Sequence, residues 1–193
     1  MRIKKLIAMS FLLASIFTVG VKVTPAKAMT PVEYGDLTWS INSIYYYITS
    51  GVSSSYTTPI SNAAKNWYYP GWTNKLSPNT RTYTQGDSAM DFHQYADSTD
   101  GYAAYTTFWT GSSTQVSADN SDWSWCKINL NDSNMKTLDS NTEQGVVGHE
   151  MGHVYGLDED YNNTYSIMYA TVKGKNVYTV QKPDNDAFNY KHP

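Results

Sequence analysis

Apolar and polar positions along this chain recur with two periods, and the change from one to the other marks out the elements. Leu37-Thr38-Trp39-Ser40-Ile41 alternates as a strand does. The spacing of Ile60, Ala63, Ala64, Trp67 and Tyr68 is helical, with Thr58 as the expected N-cap, Pro59 as first helical residue, and Pro70-Gly71 as the stop. Strands are then expected at Thr80 to Thr84, Ala89 to Tyr95, Tyr102 to Trp109 and Trp125 to Asn131. A second helix is expected from Asn141, opened by an S-x-x-E capping box of Ser140 and Glu143. Its apolar stripe is Val147, Met151 and Val154, while Val146, His149, Glu150 and His153 fill the adjoining arc. Pro183-Asp184-Asn185-Asp186 starts a short last helix, with acids in its first turn, where the helix dipole favours them. The order of elements predicts an α+β domain.

The helix after Ser140 carries three glycines, Gly145, Gly148 and Gly152, each costing about 1 kcal/mol relative to alanine. Their spacing puts them on one side and predicts close approach by another backbone. Gly156 suits the left-handed residue that ends a helix. A turn there brings Asp158, Glu159 or Asp160 back toward the helix.

That helix contains His149-Glu150-Met151-Gly152-His153, an H-E-x-x-H motif. Residues four apart on a helix share a face, so the two imidazoles can hold one Zn²⁺. Glu150 then stands beside an open fourth position, where a metal turns water into a nucleophile near neutral pH. The motif alone is short and occurs by chance in surface helices. Here it is joined by Gly156, the acidic cluster 158–160 and Ser166-Ile167-Met168-Tyr169.

Together these residues resemble the metzincin pattern, H-E-x-x-H-x-x-G-x-x-H followed by a Met-turn, and within that clan the matrixins. The resemblance implies a metzincin-like fold: a twisted, mostly parallel sheet packed on two long helices, with a short C-terminal helix. It implies zinc bound by His149 and His153, Glu150 as catalytic base, and Met168 as a hydrophobic floor rather than a ligand. The third ligand position falls on Glu159, where the family has histidine; carboxylates also ligate zinc in catalytic sites. By the same resemblance, Tyr102 to Trp109 is the edge strand along which extended substrate pairs. Ala170 stands where matrixins usually have proline, so the shape of the adjoining specificity pocket does not carry over. The match spans residues 37–192 in order and type, and is specific at 149–159 and 166–169.

Composition adjusts this picture at a few points. Arg2, Lys4 and Lys5, the apolar run Leu6 to Val21 and Ala26-Lys27-Ala28 form a signal peptide over residues 1–28, with cleavage before Met29 and secretion expected. Five of the 14 basic residues and none of the 17 acidic ones lie in that segment. Residues 29–193 thus carry nine against 17, a net charge of −8. No basic patch marks a nucleic-acid partner, and no membrane association is expected after cleavage. The remaining 165 residues suit one metallopeptidase domain, expected to be monomeric. The single cysteine, Cys126, excludes an internal disulfide and reads as a small buried hydrophobe.

Asp97-Ser98-Thr99-Asp100-Gly101 is a loop of oxygen donors that could hold Ca²⁺, although turns of this composition are common without an ion. The matrixins' additional structural zinc needs several histidines. Besides His149 and His153 this chain has only His93 and His192, so no such site is expected. The expected activity is that of a secreted zinc endopeptidase acting on protein or peptide substrate. The alternative is a non-catalytic, zinc-stabilised or carbohydrate-binding secreted module, the latter in view of 17 tyrosines and 6 tryptophans. Glu150 argues against a purely structural zinc, which needs no base. Gluzincins draw a glutamate from a later helix, and none follows Glu159.

Overall fold

The computed structural model describes residues 34–78 and 80–193. The expected signal peptide, residues 1–28, lies outside the described residues. Five strands form one sheet in the order β1-β2-β5-β3-β4: β1 Tyr46–Ile48, β2 Met90–Tyr95, β3 Ala104–Thr110, β4 Thr114–Val116 and β5 Trp125–Asn131. The pairs β1·β2 and β2·β5 are parallel, while β3 runs antiparallel to both β5 and β4. All strands but β3 thus point one way, and the mixed α+β architecture with a mostly parallel sheet agrees with the sequence reading.

Two long helices pack on each other and on the sheet: α1, Thr57–Tyr68, and α3, Ser140–Val154. Period-two alternation along the strands sends Tyr46, Ile48, Met90, Phe92, Ala104, Cys126, Ile128 and Leu130 into the core beneath them. Ile60, Ala63, Ala64 and Trp67 of α1 fill the core from the other side, and the Trp67 indole donates to Gly148 O of α3 at 2.7 Å. Cys126 is a fully buried free thiol, its pKa pushed up by burial, as its apolar neighbours in sequence suggest.

Four expectations need correction. Leu37 to Ile41 is not a strand: Leu37 makes one bridge to Trp123, and the chain turns at Ser40, whose carbonyl accepts from Ser43 N. The first strand is instead the three-residue β1, within a tyrosine run too short to display a period. Thr80 to Thr84 contributes only a bridge from Arg81 to Tyr46, because the Thr82 hydroxyl accepts from Thr84 N and turns the chain into a 3-10 turn at Gln85–Asp87. The α1 helix begins ahead of Thr58, since a 3-10 turn, Ser54–Tyr56, runs straight into it and leaves Pro59 inside the first turn, where no intrahelical N–H is lost. Among the described residues there are four helices, not three. A single turn, α2, Asp132–Met135, follows β5, capped by the Asn131 side chain on Ser133 N. The final helix, α4, Lys182–Lys191, starts with a capping box of Gln181 and Asp184.

Candidate metal centre

The site is built on α3. Its N-cap is Asp139 rather than Ser140: one carboxylate oxygen accepts from both Asn141 N and Thr142 N, at 2.9 and 3.0 Å. A full negative charge at the helix N-terminus outcompetes the neutral hydroxyl one residue later. From Gly145 to Gly152 every residue is buried, so the polar motif runs through the interior rather than along a wet face. The glycines make room for that. A Cβ at Gly145 would come within 3.1 Å of Tyr178 Cα, and one at Gly152 would overlap the Met168 sulfur and meet Trp67 at 3.1 Å. At Gly148 a Cβ would find ordinary contacts, the nearest at 3.6 Å, so another backbone comes close only at Gly145, and at Gly152 the close neighbours are side chains.

The helix ends in a Schellman arrangement. Gly156 takes φ +82°, its N–H donates to His153 O at 2.9 Å, and Leu157 N donates to Gly152 O at 3.0 Å. The reversal carries Glu159 back over the helix. Glu159 Oε1 lies 3.4 Å from His149 Nε2 and 3.5 Å from His153 Nε2, and the two imidazole nitrogens are 3.1 Å apart. The neighbouring acids face elsewhere. Asp158 Oδ1 accepts from Glu159 N at 2.6 Å, and Asp160 Oδ1 accepts from Asn162 N and Asn163 N. Of the three candidates in 158–160, the fold brings Glu159 to the histidines.

Hydrogen bonds fix what the trio can do. His149 Nδ1 is 3.0 Å from Ile167 O and His153 Nδ1 is 2.9 Å from Leu157 O. A carbonyl only accepts, so both Nδ1 atoms carry the proton and both Nε2 atoms present lone pairs to the same point. Glu159 adds a carboxylate there, and its Oε2 is buried without a hydrogen-bond partner. Burial works against ionisation of Glu159, but the two imidazoles outweigh it and hold the carboxyl well below the usual range. Burial likewise pulls His153 down, while Glu159 and Glu150 more than reverse it, so its pKa is raised. Three converging acceptors call for a cation. A tetrahedral zinc ion with bonds of 2.0–2.2 Å separates its ligand atoms by roughly 3.3–3.5 Å, close to the spacing observed. Among the described residues this is the one group of three such donors placed to hold a metal ion.

Beneath the trio lies the Met168 turn. Met168 is fully buried against Gly152, and Met168 O accepts from Asp160 N at 2.7 Å. The turn is gripped from below by Asp184, the buried first-turn acid of α4. Its carboxylate accepts from the Ser166 hydroxyl, from Ile167 N at 3.0 Å and from Gln181 N at 2.8 Å. Burial raises the Asp184 pKa and these donors oppose it.

Beside the trio opens a cleft of about 830 Å³ whose lining includes Glu150, Thr106 and Lys175. The Thr106 hydroxyl on β3 donates to Glu150 Oε2 at 2.7 Å. Lys175 Nζ donates to Ile167 O at 2.8 Å and stands 3.4 Å from His149 Nδ1. Burial pulls its pKa down to about 8, although Glu159, Glu150 and Asp184 raise it. Sequence reasoning missed Thr106, Lys175 and the grip of Asp184. Alternation along β3 placed Thr106 on the helix side, which was the available signal for it; nothing in Gly174-Lys175-Asn176 marks Lys175.

Of the remaining candidates, the 97–101 loop lines the same cleft through Ser98 to Gly101, and His93 does not line it. In the 97–101 loop, Asp97 Oδ1 accepts from Thr99 N, the Thr99 hydroxyl and Asp100 N, while Asp100 accepts from the Tyr95 hydroxyl and Tyr102 N. Its carboxylates are thus engaged by the turn itself. His93 is a half-buried residue on β2, its pKa lowered by burial. No protein-family model and no curated protein matches this chain.

Proposed function

We propose that this protein is a secreted zinc-dependent endopeptidase of metzincin type, matrixin-like in its Met-turn. The observation that carries this reading is Glu150: a buried carboxylate held by Thr106 in the same cleft as three acceptors that call for a cation. A purely structural metal site would close its fourth position and need no base there. His149, His153 and Glu159 hold the metal, with Met168 packed below. When bound, zinc supplies a Lewis acid that polarises the scissile carbonyl and acidifies water.

The chain's own groups do the rest. Thr106 occupies Glu150 Oε2, which leaves Oε1 to take a proton from the attacking water and return it to the leaving amine. Substrate lies along β3. β4 pairs with β3 only from Phe108 to Thr110, so Ala104 to Thr107 keep a backbone edge open on the side away from β5. An extended peptide can add to that edge as a further strand.

The test is digestion of a peptide library by purified protein before chelation, after chelation, and after adding zinc back. Cleavage that disappears and returns supports the reading. Stoichiometric zinc with no cleavage of any sequence overturns it in favour of a non-catalytic, metal-stabilised module.

A further inference from the structure

The cleft contains a cation with no carboxylate partner. Lys175 is half-buried, and among the described residues no acidic oxygen lies within 4 Å of its Nζ. One of its three N–H groups goes to Ile167 O, which leaves two for the cleft. Its neighbouring acids are committed elsewhere. Glu159 faces the imidazoles, Glu150 is held by Thr106, and Asp184 is spent on Ser166, Ile167 and Gln181. With a divalent metal bound, the charges of Glu150 and Glu159 are balanced locally. Among the described residues Lys175 then has Asp184 as its remaining opposing charge, beyond ion-pair distance, in a chain that is otherwise acidic.

The position of this charge limits what it can touch. Nζ lies 3.4 Å from the rear nitrogen of His149, so one imidazole ring separates it from the metal position. Lys175 and Glu150 line the same cleft, so a side chain next to a bond cleaved there can reach Lys175. The wall on that side, Ala170 to Lys173, is open and adds a second cation, Lys173, at the rim. A half-buried ammonium with two free donors is satisfied by a carboxylate and opposed by a cation.

We propose that Lys175 makes this cleft selective for substrates carrying an acidic side chain, aspartate or glutamate, next to the scissile bond. The proposal rests on the endopeptidase reading and names the substrate class of that same site. The ion pair forms in a partly desolvated pocket, where charge complementarity discriminates strongly between partners.

The experiment is a cleavage-site profile of zinc-loaded wild type, Lys175→Met, Lys175→Gln, Lys175→Arg and Lys175→Glu on a peptide library randomised around the cut. Zinc content is measured for each. Wild type should favour Asp or Glu over Ala at one position flanking the cut by at least about tenfold in kcat/KM. Lys175→Arg should keep that preference, Lys175→Met and Lys175→Gln should lose it, and Lys175→Glu should shift it to Lys or Arg. A purely structural lysine would change stability or overall rate without moving the profile. Efficient cleavage by wild type with no acidic preference, or a preference that survives in Lys175→Gln, overturns the proposal and leaves the endopeptidase reading standing. Should Lys175→Met fold poorly, the contrast of wild type with Lys175→Arg and Lys175→Gln decides it. If wild type cleaves no sequence at all, the endopeptidase reading falls and this proposal with it.

Discussion

The floor and the wall of the cleft are made differently. The floor comprises the C-terminal half of α3, the Met168 turn and the start of α4. There Met151, Val154, Ile167, Met168 and Phe188 are buried, and each turn of backbone is tied to a specific side chain. His149 is bonded to Ile167 O, and Ile167 N is bonded to Asp184. The wall, 170–176, is tied at its two ends, by Ala170 N to Asp160 O and by Asn176 to Thr164, while Thr171 to Gly174 between them are exposed and held by local bonds such as Thr171 Oγ1 to Lys173 O. In the floor, moving one group disturbs several others, because packed interiors transmit displacement. In the wall a side chain can change and leave its neighbours in place. Fixed chemistry belongs on the first kind of surface and adjustable selectivity on the second.

The sharpest test of that division is at Glu150. Its carboxylate belongs to the floor but is assigned no ligand role, so Glu150→Ala should lower peptide cleavage by about 10²–10⁴-fold and leave roughly one zinc per chain. Metal analysis beside an activity assay checks both halves. Loss of metal along with activity would mean that Glu150 helps to build the site instead of acting in it.

Glu159 should behave in the opposite way. Glu159→Gln removes the charge that the two imidazoles stabilise and should weaken zinc binding by more than about a hundredfold, the upper end of effects from residues that only support a ligand. Glu159→His should retain metal. Asp158→Asn and Asp160→Asn should bind zinc almost normally, since those carboxylates serve the local backbone. Titration against a competing chelator ranks the four. If either aspartate variant loses the metal while Glu159→Gln keeps it, the ligand assignment is wrong.

The same division explains what was legible in the sequence. The floor could be read because helical spacing fixes His149 against His153, and Gly156 fixes where the chain reverses. β5 and the core face of α1 were legible for the related reason that their apolar periods are long enough to count. Leu37 to Ile41 misled, since alternation marks which side chains turn inward and not whether the backbone pairs. Leu37 is buried, yet it makes only one bridge. β1 was invisible at three residues. Asp139 was passed over because a capping box one residue later fits the pattern equally well on paper. Alternation gave the face of Thr106 but not its partner, and nothing marked Lys175: each reaches the site from a distant part of the chain, and only the tertiary fold sets that distance.

Thr106 links floor to sheet, and its effect should be smaller. Thr106→Val keeps the shape and removes the donor to Glu150, an interaction of about 1.5–3 kcal/mol for a charged acceptor. The expected result is about a tenfold to hundredfold loss in kcat/KM at unchanged zinc content, with Thr106→Ser restoring most of it. A Thr106→Val enzyme as active as wild type would mean that Glu150 needs no external support to hold its position.

The smallest effects should come from two glycines one helical turn apart, and they should differ in sign. Both lie in α3, where alanine is favoured over glycine by about 1 kcal/mol on intrinsic grounds. At Gly148 the added methyl meets Ile167 at 3.6 Å, an ordinary contact, so Gly148→Ala should be neutral or stabilise by up to about 1 kcal/mol. At Gly152 the methyl would overlap the Met168 sulfur and press on Trp67, both fully buried. Overpacking of that kind costs about 1–3 kcal/mol, which exceeds the helix gain. Gly152→Ala should therefore lower the melting temperature while Gly148→Ala does not. If Met168 supports the proposed metal centre, Gly152→Ala should also weaken zinc retention, because Gly152 lies one residue before His153 and against Met168. Thermal melts of the two variants, each with and without chelator, separate the effects. Equal melting temperatures would show that the floor is softer than its packing implies, with Met168 free to move aside.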